Sequence, residues 1–216
     1  MLNFSILTKY FDLYFQGFLT TIEVSIIGLI CSFILGVIVA VMRIAPLRIL
    51  NWIGTCFVEF IRNIPLILIV FFFYYGLSNY INLSGFAAGT IGLTIYTAAF
   101  IAEAVRAGIQ SVDKGQMEAA RSSGLTYIQA MKHIVLPQAI KIVIPPIGNQ
   151  FINLVKNSSI LGLVAGMELM YFADYVHEKT WISFDTYIFA ALFYLVLTIP
   201  LSFFVNRSEK RLARSY

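Results

Sequence analysis

Apolar residues run through this chain in long blocks broken by short polar intervals, with no strict alternation of period two. Residues 4–18 interleave Phe4, Tyr10, Phe11, Tyr14, Phe15 and Phe18 with Lys9, Asp12 and Gln16, a pattern that suits an interfacial helix with an aromatic belt. Apolar blocks follow at about 19–42, 53–80, 89–109, 139–155 and 186–205. Each is long enough, at about 1.5 Å of rise per residue, to approach or exceed the roughly 30 Å of a bilayer's hydrocarbon. The second block is interrupted near its start by Glu59, Arg62, Asn63 and Pro65, and the fourth carries Pro145-Pro146. Residues 158–178 read as an amphipathic segment, and 111–137 form a polar island.

Composition sharpens this pattern. The 216 residues are 59% hydrophobic and only 12% charged, with a mean hydropathy of +0.83. A soluble domain carries about a quarter of its residues charged, so lipid has to serve as part of the solvent here. Hydrocarbon offers no partner to backbone N–H and C=O, and unbroken apolar runs select helices over a barrel. The expected fold is therefore all-α, with about five transmembrane helices forming one domain over 1–216. No basic n-region or small-x-small site marks a cleaved leader, so the first span is expected to direct insertion.

Charge placement orients the spans. Arg43, Arg48, Arg106, Lys114, Arg121, Lys132, Lys141 and the C-terminal Arg207, Lys210, Arg211 and Arg214 fall on one side of a five-span topology. Only Lys9 and Lys179 fall on the other. The positive-inside rule then gives an external N-terminus and a cytoplasmic C-terminus, and it puts the polar island in the cytoplasm.

Ionisable residues inside apolar spans are costly and usually face a partner or a wet path. Glu59–Arg62 and Glu103–Arg106 are spaced i,i+3, so each pair can neutralise itself on one helix face and cross-link spans two and three. Glu23 stands alone in the first span. Cys31 and Cys56 lie in apolar stretches without metal-ligand spacing and are expected to be buried, inert thiols. His133 and His177 fall on opposite sides of the membrane and make no metal pair. The chain lacks G-x-x-x-x-G-K-[ST], so no phosphate-cradling loop is expected.

The island itself is patterned. Asp113, Gln116 and Glu118 favour the start of a short helix through its dipole. Ala119 and Ala120 leave room for a partner to approach the backbone, and Gly124 can end the helix in a left-handed conformation. Thr126 can cap a second helix presenting Ile128, Met131 and Ile134–Val135, with Pro137 breaking from it into span four. A helix–turn–helix arm is the result.

From Glu118 through Pro137 the island matches EAA-x3-G-x9-I-x-L-P, which resembles the signature of permease subunits of bacterial ATP-binding-cassette importers. Glu59-Phe-Ile-Arg-Asn-Ile-Pro-Leu resembles the E-F-x-R-x-x-P-L stretch of polar amino-acid permeases. Tyr96-Thr-Ala-Ala-Phe-Ile-Ala-Glu-Ala-Val-Arg-Ala-Gly-Ile is similar to their Y-x-A-x-x-x-E-x-x-R-x-G-I span. Phe151-Ile-Asn-Leu-Val-Lys-Asn-Ser-Ser resembles F-x-x-L-x-K-[DN]-[ST]-[SA]. The resemblance covers nearly the whole chain and points to the histidine/glutamine/arginine branch.

That resemblance implies the type I importer fold in a bacterial inner membrane. It implies a second permease subunit, identical or related, and a pair of ATPase subunits that carry the ATP and Mg. It also implies an extracellular or periplasmic binding protein that delivers the amino acid. Glu118, Ala119, Ala120, Gly124, Ile134 and Pro137 would then couple to the ATPase, with no catalysis, cofactor, metal or nucleic acid on this chain. Lys156, Asn157, Ser158 and Ser159 would bind a substrate carboxylate where a broken helix exposes free amides. Tyr96, Thr97, Gln150 and Asn153 would line the rest. A neutral Gln150 favours glutamine, glutamate or another polar amino acid over arginine. A secondary transporter would need no docking arm, and a purely structural subunit would leave Lys156–Ser159 unexplained.

Overall fold

The computed structural model describes residues 2–213, and every regular element in them is helical. Helix α1 (Phe4–Lys9) starts where the Asn3 side chain accepts the Ser5 amide, and it stops at Tyr10. Helix α2 (Phe11–Ile44) then runs 34 residues, about 51 Å at the usual rise. The expected interfacial helix over 4–18 is thus divided at Tyr10, and most of it is the first turns of α2. The reason is packing. Phe11 and Phe18 lean on Phe193 at 6.2 and 5.6 Å, and the buried Tyr14 donates its hydroxyl to the Thr186 carbonyl at 3.0 Å.

Small residues let α2 sit deep in the bundle. Gly17, Thr21, Ser25, Gly28, Ser32 and Gly36 are buried along one stripe of α2. At Gly36 an added Cβ would stand 2.7 Å from Ile101 Cγ2, so no larger residue fits without moving that neighbour. Close backbone approach of this kind substitutes for the hydrophobic effect, which lipid does not supply between helices.

Helix α3 (Arg48–Arg62) ends at Asn63, whose side-chain amide donates to the Glu59 carbonyl. Pro65 then opens α4 (Leu66–Phe71), which continues as a π-helical turn to Gly76. Proline has no N–H and disfavours helix in the residue before it, so the chain turns by 106° between α3 and α4. The second apolar block is therefore two helices rather than one interrupted rod.

Ser84 caps α5 (Gly85–Gln110), the central span, which packs against α2, α4 and α8. After α6 (Lys114–Ser122) and α7 (Tyr127–Ala130), a π-helical turn over Met131–Val135 leads without a break into α8 (Leu136–Asn157). Pro137 was expected to break the chain away from the arm, and it does not. It sits in the first turn of α8, where the wide turn before it accommodates its ring and missing donor. A 3₁₀ turn (Ser158–Val164), α9 (Leu169–Thr180) and α10 (Ser183–Ala213) complete the chain.

Among the described residues, α2, α5 and α10 are long and apolar enough to cross a membrane singly. Two bent pairs, α3 with α4 and the α7–α8 rod with α9, raise the number to as many as five. Cys31 and Cys56 are exposed on the outside of the bundle, contrary to the buried setting expected for them. A bilayer lets an apolar thiol face outward at no cost, so apolarity in a spanning helix does not imply an inward direction.

Candidate functional site

Three polar assemblies are distributed along the bundle, and the arm is the first. The Asp113 carboxylate accepts the Gly115 amide at 2.6 Å and starts α6. The helix closes where the Leu125 amide reaches back to the Ala120 carbonyl, with Gly124 at φ +88°. That left-handed value disfavours any residue with a Cβ, although nothing lies within 4 Å of the space one would occupy. Thr126 and Gln129 then form a reciprocal capping box for α7.

Val112, Val135 and Ala139 make a small core under the arm, with Ile109, Met117 and Met131 packed on it. Gln138 ties the root together by donating to Gln116 Oε1 and to the Ile134 carbonyl. Glu118, Ala119 and Pro137 are exposed and Ile134 is half-buried, but Ala120 is buried inside the arm. Only Ala119 of the alanine pair is open to a partner. The expected apolar face of the second helix is also divided. Val135 faces inward, whereas Ile128 is 75% exposed beside the exposed Tyr127. The wide turn at Met131–Val135 adds a residue to the helical phase and rotates the faces apart.

Next to the root of the arm lies the charge network. Glu103 is its hub. Arg106 grips it with two bonds, at 2.5 Å to Oε1 and 3.0 Å to Oε2, and Arg43 reaches Oε2 at 2.5 Å. Arg62 stands 3.8 Å from the same carboxylate, with its guanidinium 5.3 Å from the Phe100 ring. Glu59 pairs with Arg43 at 3.8 Å. The expected Glu59–Arg62 pair is not among the ion pairs formed; both residues turn to partners on other helices. Three guanidiniums against two carboxylates bind α2, α3 and α5 with one positive charge in excess. Arg43 was read from sequence only as one of the basic residues that orient the spans, yet it is buried at the centre of this cluster. Its carbonyl also accepts from the Asn51 amide. The signal was its place in the last turn of an unusually long helix, where nothing local could neutralise it.

The third assembly surrounds the break after α8. The α5–α8 register, fixed by Gly108 against Val143 and Gly89 against Leu161, puts Thr97 level with Asn153–Leu154. Thr97 is only 3% exposed, however, and Tyr96 belongs to the α2–α3–α5 cluster with its ring 4.9 Å from Phe100. Gln150 and Asn153 are half-exposed and Lys156 is exposed, at i,i+3,i+6 spacing along α8. The Lys156 ammonium has no partner among the described residues, while Asn157 and Ser159 are half-buried.

No α-helix begins at Lys156–Ser159. The Ser158 amide is bonded back to Leu154 and Lys156, and its buried hydroxyl donates to the Val155 carbonyl at 2.8 Å. The segment lacks a Gly or Pro that would halt α8, so the helix tightens into the 3₁₀ turn instead. The free amides expected there lie ten residues on, at α9, and the chain's own Glu168 occupies them. Its Oε1 accepts the Tyr171 amide at 2.9 Å, and Oε2 accepts the Tyr194 hydroxyl at 2.5 Å. Thr21 accepts the Leu169 amide at 3.2 Å, tying α2 to the same point. Glu168 is fully buried behind a strained approach in which Ala165 and Met167 both have positive φ, +54° and +53°. The sequence analysis missed it; a lone Glu inside Val-Ala-Gly-Met-Glu-Leu was the available signal.

Comparison with known proteins gives a consistent picture. The family described as "Binding-protein-dependent transport system inner membrane component" matches residues 32–214. The "Probable glutamine ABC transporter permease protein GlnM" of Bacillus subtilis is 68% identical over 216 residues, all of both chains. The "Probable glutamine ABC transporter permease protein GlnP" of the same organism is 40% identical, covering 91% of this chain and 92% of its own. A crystal structure of an amino acid ABC transporter with histidines superposes with a TM-score of 0.92 at 33% identity, covering 98% of this chain and 99% of that one.

Proposed function

The chain belongs to the binding-protein-dependent transport system inner membrane components, and on that premise we propose that it is the permease of a glutamine uptake system. It is a multi-pass membrane protein of the ABC importer permease fold. Its work is conformational. A pair of partner ATPases binds and hydrolyses ATP with Mg, a second copy or a related permease completes the pathway, and an external binding protein delivers the substrate. The membrane is the bacterial inner membrane, with the N-terminus outside and the arm and C-terminus in the cytoplasm.

The observation that carries this reading is the arm. A capped helix–turn–helix, held at its root by a private core, presents Glu118, Ala119, Tyr127 and Ile128 to solvent. Large exposed apolar side chains on a polar projection mark a docking surface. The shape suits a groove on an ATPase, with Gly124 setting the angle between its two helices.

Glutamine is favoured by the named relatives and by the chemistry of α8. Lys156 offers a cation to the substrate carboxylate, and Gln150 and Asn153 offer amides on the same open face. Tyr96 and Thr97 are left out of this site, and Ser158 acts only on backbone. The test is reconstitution in liposomes with the ATPase and binding protein encoded beside this gene. Radiolabelled glutamine should accumulate only with internal ATP and the binding protein present. Accumulation without ATP, or failure of any ATPase to co-purify, would overturn the proposal.

A further inference from the structure

A groove of about 530 Å³ opens on the outside of the bundle between α2, α8 and α10. Ile30, Phe33, Ile147, Phe151, Phe204 and Val205 line it, and its only polar contributor near the mouth is Ser208. Ile30, Phe33 and Phe204 are 57%, 43% and 69% exposed, so the groove faces the surrounding hydrocarbon rather than the interior.

One end of this groove is cationic. Gly148 packs against Val205, and Ile144 and Phe151 of α8 line the groove with Ser208 and Leu201 of α10, so the two helices run antiparallel with paired positions summing to about 352. The same register puts Lys141 level with Arg211. Each continues a groove-lining stripe by three residues, from Ile144 on α8 and from Ser208 on α10. Arg207 and Lys210 flank that level, and Glu209 lies in the same turns of α10.

We propose that the groove holds one acyl chain of an anionic phospholipid, whose phosphate sits at the level of Lys141 and Arg211. Two observations select that occupant. Apart from Ser208 the lining is apolar, and the slot ends in clustered Lys and Arg at the depth where a spanning helix leaves hydrocarbon. Basic residues at such a site attract an anionic headgroup, and each adds to its preference over a zwitterionic one. Ser208 supplies a hydroxyl at the boundary.

Native mass spectrometry of the full chain, incubated with equimolar phosphatidylglycerol and phosphatidylcholine, tests this. Phosphatidylglycerol should be retained about tenfold over phosphatidylcholine. The double variant Lys141→Gln/Arg211→Gln should bring the ratio near one. Ile30→Trp, and Ile34→Trp as a second filler, should abolish retention of both lipids at an unchanged melting temperature. A ratio near one in the unaltered protein, or a preference that survives the double variant, would overturn the proposal. So would stabilisation by inorganic phosphate equal to that by the lipid, which would mean a charge site without the groove. A disulfide between two copies carrying Phe204→Cys, in a Cys31→Ser/Cys56→Ser background, would assign the groove to a second protein chain and also overturn it.

Discussion

Tyr194 of α10 donates its hydroxyl to Glu168 Oε2 at 2.5 Å, and that single bond closes the bundle around its break. Glu168 also caps α9, whose neighbouring Leu169 amide is held by Thr21 of α2. Three helices therefore meet at one buried carboxylate.

Replacing Glu168 with Ala should cost about 1–3 kcal/mol, the usual penalty for leaving buried donors unmet. Thermal melting in detergent reads this directly. Tyr194→Phe should destabilise less, since the carboxylate keeps the Tyr171 amide. A Glu168→Ala variant melting with the unaltered protein would remove the carboxylate from its structural role.

Arg43 and Arg62 should respond very differently to truncation. Arg43 is buried and bridges Glu59 and Glu103, so Arg43→Ala should destabilise by roughly 3–5 kcal/mol. Arg62 is partly exposed at 3.8 Å from Glu103, and Arg62→Ala should cost about 1 kcal/mol or less. Equal melting temperatures for the two variants would show that the network is not centred on Arg43.

At Gly124, the positive φ rather than crowding sets the outcome. Gly124→Val meets no atom within 4 Å but forces a β-branched residue into a left-handed conformation. The local cost is roughly 1–2 kcal/mol. We expect normal insertion into the membrane, with loss of ATPase co-purification and of ATP-driven uptake. Full uptake by this variant would end the coupling role of the turn.

Lys156→Ala should lower glutamine uptake at least severalfold while the ATPase still co-purifies, because the ammonium is exposed and holds no other part of the fold. Gln150→Ala should do the same more weakly. Unchanged transport in both would remove the α8 face from the substrate path.

Spans were legible because lipid imposes a length and a composition that no other environment requires. The arm was legible because caps are local. Asp113, Gly124 and Thr126 act within four residues of themselves, and each does in the structure what its spacing predicts. Pairings between distant helices were not. Glu59 looked to Arg62 along one helix, yet Arg43 stands 3.8 Å from it across a helix contact that no local pattern encodes. Direction was equally hidden. Thr97 and Ser158 read as pathway donors but are sealed inside, and Cys31 faces out, because a spanning helix is apolar on every side. The phase slip at Met131–Val135 likewise separated Ile128 from Val135, which a uniform period had put together.

From Tyr127 to Val164 the backbone is one continuous helical stretch that runs through Pro137 and Pro145-Pro146 without a break. Lys156 lies 29 residues, about 44 Å, above its foot. If a partner grips the arm as proposed, tipping the lower end would swing the upper one in the opposite sense about wherever α5 holds it. On the proposed function, motor and cargo site would need no relay between them, being two ends of the same lever.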